Sequence, residues 1–188
     1  CHGSNPTAAH GQQGWRQHAY QGWLMPEVVT LERPQDRAVT LEEARQQLRL
    51  DAHDEDLLLG AKLDAAQAEL EAQTGLKLCQ QTLELQLESW PEEILVPVRP
   101  VSVVEVRYTA ADGTNIVMPE ANYVVRRRHG LSRIRPASGK TWPELADDGL
   151  IKIRLSAGFG DTDPDLQIAR AAILVKTAAM FENREGAP

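Results

Sequence analysis

The sequence predicts an α+β fold: an N-terminal helical hairpin, a central antiparallel β region and a long C-terminal helix. Three observations carry this. Apolar residues recur at helical spacing over residues 40–74, at every second position in short runs over 78–158, and again at helical spacing over 164–185. A length of 188 residues suits one ordinary domain with an added arm, or two small domains. The expected boundaries set 1–37 as an extended N-terminal arm or leader and 38–188 as the folded domain.

Thr40 and Glu43 have the spacing of a capping box, so a short first helix opens there and runs to about Leu48. Asp54 is the expected N-cap of a second helix, with Glu55 and Asp56 in its first turn, where negative charge meets the positive helix end. Gly75 fits the C′ position after Thr74. This second helix carries two apolar stripes. Leu57, Ala61, Ala65, Ala68 and Ala72 form one, while Leu59, Leu63, Ala66 and Leu70 form another on nearly the opposite side. Two apolar faces need two covers. The surplus face packs either under the β region or against a neighbouring subunit, and Leu59, Leu63, Ala66 and Leu70 are taken as the candidate interface.

From Leu78 the period becomes two. Leu83, Leu85 and Leu87 alternate with Glu84, Gln86 and Glu88, and Val104, Val106 and Tyr108 alternate with Glu105 and Arg107. Asp112-Gly113 signals a hairpin turn. A second hairpin is expected to turn near His129 and Gly130. Ile151, Ile153 and Leu155 mark a further strand. Trp90 and Trp142, each followed by Pro, are expected to anchor the ends of this region. Pro164 then sits in the first turn of the last helix. Its apolar residues, among them Ile168, Ile173, Val175, Met180 and Phe181, spread around nearly the whole circumference, as in a helix that belongs inside something.

Composition narrows the function. The net charge of −7 argues against a free-standing nucleic-acid binder. The two cysteines, Cys1 and Cys79, give no disulfide framework and read as free thiols of a cytosolic product. No apolar run reaches the roughly 18 residues of a membrane span, and no signal peptide is visible. The first 24 residues lack a core-forming period but carry Trp15, Tyr20 and Trp23. They read as a leader, a non-standard start, or an arm that docks these aromatics on a partner.

Five polar residues crowd into 51–56: Asp51, His53, Asp54, Glu55 and Asp56. Counted as a calcium loop from Asp51, position 6 is Asp56 instead of Gly and position 12 is Lys62 instead of Glu. His53 has no second His or Cys at zinc-ligand spacing. The cluster therefore reads as a helix start and not as a metal site. No nucleophile elbow, Cys–His pair or phosphate loop is present, and SAGFGD at 156–161 reads as a turn between strand and helix. No catalytic residue, metal or cofactor is expected.

Arg126, Arg127, Arg128 and His129 form the one strong positive run, with Arg133 and Arg135 following. As a hairpin tip it touches DNA phosphates or an acidic partner surface, or it is a solvated turn. A helix-turn-helix DNA-binding regulator is one alternative for the whole chain, although its second helix would begin Asp-Glu-Asp, which repels phosphate. A hydrolase with an unrecognised site is another.

The order of VTLEEARQQLRLDAHDEDLLL, AAQAELEAQTG, VPVRPVSVVEVRYTAADGT, NYVV, KTWPE, IRLSAGFGD and FENRE resembles the head–tail connector (adaptor, head-completion) proteins of long-tailed phages, in their β-containing branch. The resemblance spans roughly residues 38–186 and leaves the first 37 without a counterpart. It implies a structural virion protein at the head–tail junction, present in host cytoplasm before assembly. Such a protein forms a ring, typically dodecameric, beneath the portal. It extends the DNA channel without sequence-specific binding and docks the next tail or head-completion protein. No catalytic residues carry over. Residues assigned to the subunit or portal interface include Arg126, Arg127 and Arg128 on the hairpin and Met180, Phe181 and Arg184 at the end of the last helix, beside the four on the second helix.

Overall fold

A computed structural model describes residues 26–183 apart from residue 52. Trp15, Tyr20, Trp23 and Arg184 lie outside the described residues. Elements follow in chain order: β1 (Glu27–Glu32), α1 (Leu41–Leu48), α2 (Asp56–Thr74), β2 (Gln81–Leu87), β3 (Ile94–Leu95), β4 (Val101–Thr109), β5 (Asn115–Val117), β6 (Tyr123–Arg128), β7 (Leu131–Pro136), β8 (Ile151–Ala157) and α3 (Pro164–Glu182). The fold is α+β, and every strand-to-strand ladder is antiparallel.

The strands make two sheets, one ordered β1-β2-β8-β4-β5 and the other β3-β7-β6. Their inner faces share one core. Leu83, Leu85, Ile151, Ile153 and Leu155 of the larger sheet meet Ile94, Ile134 and Tyr123 of the smaller, so the β region is a sandwich. The period-two reading of β2 and β8 holds, because strict alternation faces one sheet side to the core. In β4 it fails at Val104. The register to β8 shifts between Val103 and Glu105, so Val104 is an extra residue in a β-bulge. Val106 and Tyr108 keep the inward side, and Val104 is 53% exposed. β1 was not legible in the sequence: only Val28 packs against the core, and an edge strand needs no apolar period.

The helices gather on a second core built from Leu59, Leu63, Ala66, Leu166, Ala169, Ile173 and Phe181, with Leu78 and Phe159 at the join to the sandwich. Thr40 and Glu43 form the expected capping box, and Gly75 ends α2 in the left-handed conformation. The α2 start differs from expectation. Its N-cap is Glu55, without a side-chain cap bond, and not Asp54. Asp56 N–H donates to the His53 carbonyl at 3.1 Å, so a turn over 53–56 delays the helix. α3 opens on Asp163, whose side chain accepts from Asp165 N–H, with Pro164 in the first turn.

The two cores are joined by close backbone approach. Gly158, at φ +120°, lies where an added Cβ would sit 2.4 Å from the Cys79 carbonyl oxygen, so only glycine fits this corner between β8 and α3. Phe159 N–H donates to the Leu78 carbonyl at 3.2 Å beside it.

Candidate assembly surfaces

Two residues of the polar cluster at 51–56, His53 and Asp56, are engaged in structural contacts. Arg45 on α1 reaches Asp56 at 3.1 Å and Glu42 at 2.7 Å, and also contacts the His53 ring. His53 Nδ1 lies 3.1 Å from the same Asp56 oxygen. One guanidinium thus pins the first turn of α2 to α1. Among the described residues no group of three or more His, Cys, Asp or Glu is placed to hold a metal ion, and no helix is long and apolar enough to cross a membrane.

Further ion pairs stitch the helical layer. Arg37 holds Asp64 through two bonds of 2.5 and 2.9 Å, Arg170 on α3 holds Glu43 on α1, and Lys176 on α3 holds Glu69 on α2. Hydrogen bonds from Thr40, backbone first, together with Arg170 hold the Glu43 carboxyl below its ordinary value. The Arg37 guanidinium does the same for Asp64. Burial pushes the Cys79 thiol up, which leaves it a poor nucleophile. These shifts have structural causes, and none of these groups is poised for proton transfer.

The geometry leaves three surfaces. The first is the outer face of α2. Leu59, Leu63 and Ala66 are buried inside this chain and Leu70 packs at the margin of the same core, so the stripe expected to face a partner faces the chain's own interior. The opposite stripe is the open one: Leu57 is 90% exposed, and Ala61, Ala65, Ala68 and Ala72 are exposed with it. Bulk was the signal in the sequence. The stripe with three leucines fills the core, and the alanine stripe stays outside.

The second surface is the outer face of α3. Leu166, Ala169, Ile173, Thr177 and Phe181 turn inward, so Phe181 is core and Met180 lies half-buried at its edge. Ile168 at 70% and Val175 at 67% point away from it, with Ala171, Ala172 and Ala179 on the same side. A hollow of about 580 Å³ opens at the foot of this stripe, lined by Leu70, Thr74, Arg99, Arg127, Asp165 and Ile168 among others.

The third surface is the β6–β7 hairpin. His129 and Gly130 turn it at φ 52° and 77°, as the sequence predicts. Its three consecutive arginines do not act alike. Arg127 lies opposite the buried Ser132 and folds back to donate to the Val101 carbonyl at 3.2 Å. Arg126 and Arg128 project from the other face and are exposed.

Residues 38–113 match the family model described as phage gp6-like head-tail connector protein. No curated protein matches the chain. Among solved structures, a chain from the neck of an empty gene transfer agent (GTA) particle, computed with C6 symmetry, superposes with a TM-score of 0.72 at 26% identity, covering 86% of this chain and 87% of that one. A chain from the virion of a native GTA particle superposes at 0.71 with the same identity and coverage. A chain from the neck of the native particle computed with C12 symmetry superposes at 0.67, again at 26% identity, covering 88% and 87%. Residues 38–113 thus carry the sequence pattern of head–tail connectors, and the chain shares the fold of structural chains from a virion neck.

Proposed function

We propose that the chain forms a ring, twelvefold in the assembled particle, beneath the portal of a DNA-filled head, where it extends the DNA channel and docks a tail-side protein. The observation that carries this reading is the pair of uncovered apolar stripes on α2 and α3. Among the described residues, the three most exposed large apolar side chains, Leu57, Ile168 and Val175, all lie on them. Each stripe lies opposite its helix's own buried face, so a single copy covers each helix once, and side-by-side contact between copies covers it again. The similar chains come from necks computed with sixfold and twelvefold symmetry, which supports a closed ring. A net charge of −7 keeps the chain as a whole from holding DNA tightly, so that a duplex in the channel stays free to move.

The test is native mass measurement and electron microscopy of the purified chain, alone and with portal protein. Rings in either setting are expected. A monomer in both removes the reading.

A further inference from the structure

The smaller sheet turns a basic face outward, against the charge of the chain as a whole. Alternation along the β6–β7 ladder sets Tyr123, Val125 and Arg127 on the core side with Ser132 and Ile134, and Val124, Arg126 and Arg128 on the outer side with Arg133 and Arg135. Arg126 stands directly opposite Arg133. Such partners have Cβ atoms about 4.5–5.5 Å apart, where like charges repel. Of the four outward arginines, only Arg133 meets a carboxylate among the described residues, Glu93 at 2.7 Å.

The larger sheet handles its outer charges differently. Arg154 lies opposite Glu84 on one side and Glu105 on the other. Lys152 opposes Arg107, whose charge Glu105 already takes. One sheet therefore neutralises its surface and the other accumulates positive charge.

We propose that this face, with Arg126, Arg128 and Arg135 as its free guanidiniums, contacts the phosphate backbone of duplex nucleic acid. Guanidinium recognises phosphate with paired donors. Side chains two residues apart on a strand repeat at roughly 6.6 Å, so the array presents several cations to a continuous polyanion. A protein partner would call for an apolar anchor at the centre of the patch. Here the outward side also carries Val124, 36% exposed, opposite Arg135, with Leu131 opposite Arg128 and Leu95 opposite Arg133, but the two leucines are half-buried and none of the three projects as an anchor. The contact carries no sequence information, since nothing in it reads base edges. The inference rests on the ring reading only for the source of the nucleic acid, the DNA in the channel.

The test is retention of the full chain on immobilised duplex DNA and, in parallel, on immobilised polyglutamate, across a salt gradient. The variants are R126Q/R128Q/R135Q and a control, R33Q/R49Q/K140Q, which removes the same charge from exposed positions elsewhere. Arg133 and Arg127 are kept because each holds a partner within the fold. Wild type and control are expected to stay on DNA to higher salt than the hairpin variant. The slope of log K against log salt should drop by about 0.9 for each phosphate contact removed. Failure of the wild type to bind DNA, co-elution of the hairpin variant with the wild type, or equal retention on polyglutamate each overturns the proposal. The native mass of the eluted protein reports on the ring separately, so the two readings fail independently.

Discussion

Trp90 and Trp142 lie ring on ring, with centroids 4.4 Å apart and planes 8° from parallel, and Tyr108 meets Trp90 edge-on at 6.0 Å. The Trp142 indole N–H donates to the Pro91 carbonyl at 2.8 Å, so each Trp-Pro step supports the other. The pair packs against the sandwich core. Trp142→Ala is expected to cost about 3 kcal/mol, the low end for a large aromatic because the ring is only half-buried. Trp142→Phe keeps the stack and loses the hydrogen bond, for about 1 kcal/mol. Urea unfolding followed by circular dichroism measures both, and equal costs would refute the separate role of the indole N–H.

The two sides of α2 should respond oppositely to truncation. Leu63→Ala removes a buried side chain from the helical core and is expected to lose about 2–5 kcal/mol. Leu57→Ala removes an exposed one and is expected to stay within about 0.5 kcal/mol of wild type as a single copy. If the Leu57 stripe joins copies, Leu57→Glu with Val175→Glu abolishes assembly while the melting curve of the single copy is kept. Native mass spectrometry beside thermal melts separates these effects.

The Glu43 carboxyl should make stability depend on pH in the acid range. Its native value lies below the ordinary 4.5, so the unfolded state takes up its proton first as pH falls. The stabilisation is fully present above 4.5 and is lost as pH drops through the lower native value. Glu43→Gln preserves the capping box and removes the charge. The stability gap between wild type and Glu43→Gln is therefore expected to be open at pH 7 and to close as pH falls below 4.5. A gap constant from pH 7 to pH 3 in urea titrations would contradict this. Asp64→Asn should behave alike through Arg37.

The Arg126–Arg133 pairing on the hairpin predicts a gain from a surface substitution. Arg126→Gln relieves like-charge contact across the ladder and is expected to raise stability by about 0.2–1 kcal/mol. The gain should shrink as salt screens the pair. A loss of stability at low salt would show that the arginine is otherwise supported.

Much of the fold was legible because local chemistry and tertiary contacts agree. The capping box at Thr40, the glycine end of α2, the turn at His129-Gly130 and the alternation in β8 each follow from neighbours in sequence. The rest depends on partners far along the chain. β1 was missed because it is held chiefly by backbone pairing with β2, which leaves no side-chain pattern. The bulge at Val104 was hidden because an inserted residue disturbs no composition. At α2 the sequence revealed two apolar faces, but periodicity alone does not rank them, and the bulkier stripe is the one inside. Separating Arg127 from Arg126 and Arg128 required the ladder register.

The five-stranded sheet grips the two ends of the described chain with unequal strength. β1 is bonded along one margin only, so traction on its free end would peel its rungs one after another, each yielding alone. β8 is bonded along both margins, to β2 and β4, and leads through the Gly158 corner into α3. A force arriving through α3 must shear two ladders at once before the strand yields. At a head–tail junction, tension is better borne through the last helix than through the first strand.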